Sequence, residues 1–167
     1  DGDIFTIDIG MEWPFKKGER GYFTDTAYTV AVGKISKENE KLLRVTEQSL
    51  EEAIKVAVPG NSVADIGKAV ENYVKSQGEY GIIRDLVGHG VGHAVHEDPR
   101  IPNYYDPKLE KIKLKPGMVI AVEPMISTSD WHVKTGKDGW TIVMVDGSMS
   151  AHFEHTIVIT ETGNIVA

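Results

Sequence analysis

The chain has 167 residues, 41% of them apolar, which is enough for one domain with a hydrophobic core. Its 25 acidic and 18 basic side chains give a net charge of −7, so no broad basic surface is available for nucleic acid or an anionic membrane. The absence of cysteine excludes a disulfide scaffold, a cysteine-ligated zinc site and a thiol nucleophile, and no apolar run approaches the length of a membrane span.

A β-hairpin is predicted at the start of the chain. Apolar and polar residues alternate along residues 3–9, and residues 22–32 are rich in Tyr, Thr and Val, as strands are. The polar, turn-rich connection between the two strands predicts antiparallel pairing with a long tip. Asp8 and Asp25 interrupt these strands, where acidic residues are uncommon.

Two amphipathic helices are predicted after the hairpin. Ser36 is a suitable N-cap for the first. Ser62 and Asp65 form a capping-box pattern for the second, which is expected to end near Gly78. The predicted apolar faces are Leu43, Leu50, Ile54 and Ala57 in the first helix and Val63, Ile66, Val70, Tyr73 and Val74 in the second.

The most unusual stretch is residues 86–99, in which three histidines lie among three glycines. His89, His93 and His96 stand at i, i+4 and i+7, so a helix would place them on one face, as in a His-Glu-x-x-His zinc protease. Each glycine, however, costs about 1 kcal/mol inside a helix. The stretch therefore predicts a loop or strand, and a metal-binding histidine there needs ligands from elsewhere in the chain.

The C-terminal half predicts further strands. Three prolines between positions 99 and 107 indicate an irregular loop, and residues 118–124 predict a buried strand. Residues 140–145 and 151–160 flank Asp146-Gly147, the strongest hairpin signal in the sequence. Strands, then two helices, then strands again indicate an α+β domain with the helices segregated from an antiparallel sheet.

Four carboxylates stand in strands that are otherwise apolar: Asp8, Asp25, Glu123 and Glu154. Taken singly, each could face solvent, cap a turn or meet an arginine. If the four converge, a pair ~4 Å apart repels by about 4 kcal/mol at the dielectric of a protein surface, so protonation or a cation must intervene. Carboxylates with one imidazole suit divalent manganese, iron, cobalt or zinc, and bridging acids could hold two ions that together activate water and polarise a carbonyl.

The local sequences around these acids and His89 resemble those of methionine aminopeptidases of type I, and the resemblance runs from one end of the chain to the other. The matching motifs are Thr-Ile-Asp-Ile-Gly, Thr-Asp-Thr, Gly-His-Gly-Val-Gly, Val-Glu-Pro-Met and Phe-Glu-His-Thr, in that order. The segment Val-His-Glu-Asp-Pro resembles the part of the family that bears a second histidine. The resemblance implies an α+β pita-bread fold of two pseudo-symmetric halves, with an antiparallel sheet flanked by helices, in which residues 1–167 form the catalytic domain.

The resemblance also implies a dinuclear metal centre. Asp8 would chelate one divalent ion, Asp25 and Glu154 would bridge both ions, and His89 and Glu123 would complete the ligand set. The two ions are expected to be cobalt, manganese, iron or zinc.

Substrate contacts are implied in the same way. His96 would hydrogen-bond the substrate carbonyl or the tetrahedral intermediate, and Glu123 would carry a proton from the attacking water to the leaving amine. Trp140 corresponds to a tryptophan beside the methionine pocket, although a core aromatic is an equal alternative for this residue type. His93 is expected at a solvent-facing rim. The two histidines expected to support ligands or to pack are His152 and His155.

The implied activity is removal of N-terminal methionine from nascent polypeptides whose second residue is small, in the cytoplasm and at the ribosome, by a monomer when full length. Neither direct nucleic-acid binding nor membrane association is expected. Two alternatives stay open: an Xaa-Pro aminopeptidase or dipeptidase of the same fold, and a pita-bread module that binds partners without catalysis. The residues around Glu123 and Glu154 favour the methionine branch, and the filled ligand positions disfavour a module without catalysis.

Two features depart from the family pattern. Sixteen residues separate Asp8 from Asp25, more than we expect for this hairpin, so residues 11–21 are interpreted as an insertion. The chain also begins where the family is already under way, and a further upstream histidine of the family has no counterpart in it. We therefore expect these 167 residues alone to be N-terminally incomplete, with exposed sheet edges, and weakly stable or inactive.

Overall fold

The computed structural model describes residues 1–167 and contains two α-helices, one 3₁₀-helix (Pro107–Leu109) and twelve strands. The α-helices are α1 (Lys37–Val56) and α2 (Val63–Gln77). The strands are β1 (Ile4–Trp13), β2 (Tyr22–Ala31), β3 (Gly81–Ile82), β4 (Gly88–Gly90), β5 (Glu97–Ile101), β6 (Val119–Val122), β7 (Met125–Ser127), β8 (Val133–Thr135), β9 (Ile142–Met144), β10 (Ser150–His152), β11 (His155–Ile159) and β12 (Asn164–Val166). Neither helix combines the length and the apolar character that crossing a membrane requires.

The strands form four sheets, and every strand pair is antiparallel. The largest sheet has five strands in the order β12-β11-β6-β4-β5, and a second has three in the order β10-β7-β3. The other two sheets are the pairs β1-β2 and β8-β9. Helices packed beside antiparallel sheets give the α+β class that the order of elements predicts.

The main hydrophobic core joins the two helices to the five-stranded sheet. A cluster of 19 buried apolar residues includes Leu42 and Leu50 from α1, Ile66 from α2, and Ile120 and Ile157 from the sheet. Burying a side chain of this kind contributes about 1.5–3 kcal/mol relative to leaving it in water. The helices therefore cover one face of this sheet, and the residues at the ends of its strands are available for a functional site.

Both predicted helix starts are confirmed. The Ser36 hydroxyl accepts a hydrogen bond of 3.1 Å from the backbone N–H of Asn39. The Oδ2 atom of Asp65 accepts hydrogen bonds of 2.7 Å from both the N–H and the hydroxyl of Ser62. The second helix ends immediately before Gly78, as predicted.

The predicted apolar face of α1 is partly wrong. Leu50 is buried as expected, but Leu43 and Ile54 are only partly buried, and Leu42 and Val45 are buried in their place. The buried face also includes polar residues whose hydroxyls bond to the helix backbone, so apolar periodicity alone did not locate it.

Two strand predictions are wrong. Pro99 lies inside β5 and not in an irregular loop, because β5 is an edge strand, where the missing proline N–H leaves no partner unsatisfied. Asp146-Gly147 does form a turn, with Gly147 at φ +76°, but the strands on either side of it do not pair with each other. Strand β9 pairs with β8, β10 pairs with β7, and β11 pairs with β6 and β12, so pairing with distant strands overrides the local signal.

The predicted N-terminal hairpin is confirmed and is longer than expected. Residues 11–13 of the interpreted insertion extend β1 and pair with residues 22–24 of β2. One face of the hairpin carries Asp8 and Asp25. The opposite face is exposed and apolar, with Phe5, Ile7, Ile9, Met11 and Trp13 in β1.

Close packing of α2 against the loop after β5 generates a test of the core. A Cβ atom added at Gly67 would overlap the backbone carbonyl oxygens of Tyr104 and Pro102. We predict that Gly67→Ala lowers the free energy of unfolding in urea by about 1–3 kcal/mol, because this steric conflict outweighs the intrinsic helix preference for alanine. The matched control is Gly163→Ala, whose added Cβ meets nothing within 4 Å and should change stability by less than about 0.5 kcal/mol. An unchanged or higher stability of Gly67→Ala would contradict the packing described.

Candidate metal centre

Three neighbouring strands of the five-stranded sheet bring one histidine and two acids together. His89 lies in β4, Glu123 directly follows β6, and Glu154 directly precedes β11. In the strand register, His89 pairs with Ala121 and Val122 pairs with His155. Glu123 follows Val122 and Glu154 precedes His155, so the two acids are neighbours across the strands. Residues that are distant in sequence thus meet at one end of the sheet.

The β1-β2 hairpin supplies the other two acids. Asp8 and Asp25 share one face of the hairpin because Asp8 pairs with Ala27, which is two residues from Asp25. Ala27 and Glu154 exchange backbone hydrogen bonds, of 2.9 Å from the N–H of Glu154 and 3.4 Å from the N–H of Ala27. These bonds hold the acidic face of the hairpin against the end of the large sheet.

The predicted ligands converge on the His89 imidazole. Its Nε2 atom lies 3.5 Å from Glu123 Oε1, 3.7 Å from Asp25 Oδ2 and 4.0 Å from Glu154 Oε1. Asp8 has a carboxylate oxygen within 4.8 Å of oxygens from Asp25 and Glu154. Four of the five residues are buried, and Asp8 is exposed.

This set of side chains fits divalent metal ions. Three overlapping groups have ligand atoms within 4.8 Å of one another, and Asp25, His89 and Glu154 each belong to two groups, as ligands shared by neighbouring ions do. Carboxylates with imidazole and no thiolate suit divalent manganese, iron, cobalt or zinc. The three groups are Asp8 with Asp25 and Glu154, His89 with Glu123 and Glu154, and Asp25 with His89 and His96.

A hydrogen bond to the backbone sets the tautomer of His89. Its Nδ1 atom lies 2.9 Å from the carbonyl oxygen of Gly90, which can only accept, so Nδ1 carries the proton. In the neutral ring the lone pair is then on Nε2, the atom that faces the surrounding carboxylates. An imidazole in this tautomer is ready to ligate a cation, and its backbone bond holds the ring in place.

The electrostatics of Glu154 also favour the binding of a cation in this cluster. Burial, followed by the negative charges of Glu123, Asp25 and Asp8, raises the pKa of Glu154 to about 9. The side chain is only 2% exposed, so water cannot stabilise its ionised form. A cation beside it would reverse the effect of the neighbouring acids and allow all four carboxylates to ionise together.

Two polar residues outside the predicted ligand set form hydrogen bonds to the backbone of the predicted ligands. The Thr156 hydroxyl accepts a 2.7 Å hydrogen bond from the N–H of Asp25 and donates one of 2.8 Å to the carbonyl of Asp25. The buried Asn103 side chain donates a 3.0 Å hydrogen bond from Nδ2 to the carbonyl of Glu123. Thr156 belongs to the Phe-Glu-His-Thr motif and could have been inferred from it, whereas nothing in the sequence around Asn103 indicates its partner.

Close packing explains the glycines that surround His89. A Cβ atom at Gly88 would overlap the carbonyl oxygen of Ala121, and one at Gly90 would overlap the carbonyl oxygen of Asp98. Both glycines are in β4, which confirms the prediction of a strand or loop and excludes a helical zinc motif. The missing side chains let β4 approach its neighbours on both sides.

The structure separates the other two histidines of this stretch. His96 is exposed, and its ring stands edge-on to His89 with the centroids 4.3 Å apart, at the border of the cluster. His93 is also exposed, as predicted, and it turns away from the cluster toward the hairpin. Its Nδ1 lies 2.9 Å from the Gly21 carbonyl oxygen, and its ring stacks on Tyr22 at 4.5 Å.

Trp140 is not brought together with the other predicted site residues. Its side chain is 87% exposed near the tip of the β8-β9 hairpin, and it lines neither of the two cavities at the centre. The alternative of a core aromatic is therefore wrong, and a role beside a methionine pocket stays a prediction.

Two cavities adjoin at the centre. A cavity of about 270 Å³ is lined by Asp8, His89, His96 and Glu123, and a more apolar one of about 190 Å³ lies between β7 and β9. The residues that line both cavities are Leu86, Met125 and His152. His155, the other histidine beside Glu154, lines neither cavity.

The fold and the set of side chains able to bind metal place the chain in a class of metallopeptidases. The chain belongs to metallopeptidase family M24, whose family profile matches residues 1–161. It is 48% identical to methionine aminopeptidase 1 of Bacillus subtilis over 163 residues and 39% identical to methionine aminopeptidase of Escherichia coli K12. The aligned region covers 98% of this chain but 62% and 59% of those relatives, so the chain spans about three fifths of their length.

Solved structures give the same result for the fold. Methionine aminopeptidase from Thermotoga maritima matches with a TM-score of 0.91 and 45% identity, over 99% of this chain and 64% of that protein. Prolidase from Pyrococcus furiosus matches with a TM-score of 0.73 and 26% identity, over 99% of this chain and 41% of that protein. The expected resemblance to methionine aminopeptidases and the α+β pita-bread fold are both confirmed.

The raised pKa of Glu154 predicts an unusual pH dependence of stability in the absence of metal. Between its ordinary pKa of 4.5 and its raised pKa of about 9, the folded chain keeps a proton on Glu154 that the unfolded chain has lost. Stability therefore falls as pH rises through this window, by about 1.4 kcal/mol per pH unit from this group, and the contribution is constant below and above it. Urea unfolding in the presence of a chelator, at pH values from 5 to 9, measures this loss.

Glu154→Gln is the control for this pH dependence, because glutamine cannot titrate. Its metal-free form should lose the part of the slope that comes from Glu154 and should be more stable than the parent at pH 8. A Glu154→Gln variant with the same slope as the parent would show that Glu154 ionises normally in the folded chain.

Proposed function

We propose that the whole protein is a metal-dependent aminopeptidase that removes N-terminal methionine from polypeptides whose second residue is small. The observation that carries the proposal is the convergence of His89 and four carboxylates, in overlapping groups, at a cavity open to solvent. The preference for methionine is supported by the relatives of 39–48% identity that are named methionine aminopeptidases.

The proposed centre holds two divalent ions of cobalt, manganese, iron or zinc. Asp8 would bind one ion, Asp25 and Glu154 would bridge the two, and His89 and Glu123 would complete the set. When bound, such ions polarise the scissile carbonyl and supply a nucleophilic water at neutral pH.

The chain's own side chains would orient the substrate and move the proton. His96, at the exposed border of the cluster, would donate a hydrogen bond to the carbonyl oxygen of the scissile peptide. Glu123 would accept the proton of the attacking water and deliver it to the leaving amine. Trp140 would lie beside the methionine side chain.

The substrates in this proposal are the N-termini of nascent polypeptides, met in the cytoplasm and at the ribosome. Catalysis by a monomer, without direct binding of nucleic acid or membrane, is part of the same proposal. The net charge of −7 supports the exclusion of non-specific RNA binding.

An Xaa-Pro peptidase is the second candidate. It is favoured by the structural similarity to prolidases, although at 26% identity the similarity is weaker than the 45% to a methionine aminopeptidase. A binding module without catalysis has less support, because every predicted ligand position holds a residue able to bind metal.

A comparison of two peptides tests the proposal. We predict that the whole protein with Mn²⁺ or Co²⁺ releases methionine from Met-Gly-Ser much faster than it cleaves an Xaa-Pro peptide, and that a chelator abolishes the release. Release of the free amino acid measures the hydrolysis. Release that continues after a chelator is added would contradict the metal-dependent mechanism. Faster cleavage of the Xaa-Pro peptide would favour the prolidase alternative.

The two exposed histidines make a matched pair of variants. We predict that His96→Ala lowers kcat by about 10²–10³, the usual loss when one hydrogen-bond donor to the developing oxyanion is removed. His93→Ala should lose less than about tenfold in kcat, because its side chain contacts Gly21 and Tyr22 and not the cluster. Similar losses of tenfold or more in both variants would show that their roles have been assigned wrongly.

A further inference from the structure

We propose that His152 is a positioning residue that holds the Glu123 carboxylate, so that one defined oxygen of Glu123 faces the metal centre. This inference rests on the proposed metal site. It assigns a role to a partly buried histidine that the chemistry described above does not use.

Glu123 lies between two imidazoles. Its Oε1 atom is 3.5 Å from Nε2 of His89, and its Oε2 atom is 3.4 Å from Nε2 of His152. Each carboxylate oxygen thus has its own histidine neighbour. Nε2 of His89 and Oε1 of Glu123 face each other and would bind a shared cation, which leaves Oε2 of Glu123 to His152.

His152 has no competing partner for its ring nitrogen. Its Nε2 atom is buried, accepts no hydrogen bond and donates none within the chain, and its nearest charged neighbour is Glu123 Oε2. A buried polar atom without a partner is costly, so a small rotation that aligns N–H with Oε2 is favourable. The inferred tautomer of His152 carries its proton on Nε2, the opposite of the tautomer in His89.

Backbone contacts determine where the His152 ring lies. The Thr29 hydroxyl accepts a 2.9 Å hydrogen bond from the N–H of His152 and donates one of 2.8 Å to its carbonyl. The single hydroxyl proton of Thr29 is then used, so Thr6, 2.8 Å away, must donate to Thr29. On its other side, His152 pairs with Met125 in β7. His152 is therefore held from the hairpin and from the sheet together, as a residue that orients a ligand must be.

Titration with Co²⁺ tests the inference without peptide hydrolysis. In the whole protein, His152→Leu should raise the dissociation constant for Co²⁺ by about tenfold to a hundredfold and change the visible absorption of the bound ion, as loss of a supporting contact to a metal ligand does. His152→Gln keeps an N–H donor and should bind Co²⁺ within about threefold of the parent, with the parent spectrum. The matched control, His93→Leu, removes an exposed histidine that contacts Gly21 and Tyr22 and not the cluster, and it should bind Co²⁺ as the parent does.

Four outcomes would overturn the inference. The first three are unchanged Co²⁺ binding by His152→Leu, equal losses in the leucine and glutamine variants at position 152, and an equal loss in His93→Leu. The fourth is a failure of the unmodified protein to bind Co²⁺, and it is the only one of the four that also removes the proposed function. If the variants at 152 do not fold, nitrogen NMR of the metal-free parent decides the question. The inference requires the Nε2–H tautomer of His152, and the Nδ1–H tautomer would exclude it.

Discussion

Glu154 lies among three other carboxylates with its side chain almost out of contact with water, so it needs a positive charge beside it to ionise at neutral pH. Much of the structure serves to hold these acids together against their mutual repulsion. The large sheet contributes Glu123 and Glu154 from adjacent strands, and the hairpin contributes Asp8 and Asp25. Neither part can build the centre alone. The hydrogen bonds between Ala27 and Glu154 therefore occur where the two parts repel each other most strongly.

Different groups stabilise the large sheet and orient the acidic residues. Apolar packing of the helices stabilises the large sheet from one side. Hydroxyl and amide groups act nearer the acids, where Thr156 holds the backbone of Asp25 and Asn103 holds that of Glu123. Such neutral groups orient the ligands without adding to the negative charge.

Local features of this fold could be predicted from the sequence, and features that depend on distant partners could not. The caps at Ser36 and Ser62 and the N-terminal hairpin are predicted correctly, because each follows from local preference. Composition and charge leave open whether the four acids meet around His89, and only the resemblance to a known family implies that they do. The hairpin predicted at Asp146-Gly147 is wrong because strands elsewhere in the chain pair more favourably with its arms. The hydrogen bond from Thr29 to His152 in β10 could not be predicted from sequence, because the two residues are 123 positions apart.

The attachment of the hairpin has a consequence for the lifetime of the protein. Asp25 and Thr156 are 131 residues apart, and an ion held by acids from both parts would close nearly the whole chain into a loop. Such a link exists only in the folded state, so it lowers the fraction of molecules that are unfolded in proportion to the free ion. Proteases degrade the unfolded fraction continuously. Scarcity of metal in the cell would therefore reduce the amount of this protein as well as its rate of reaction.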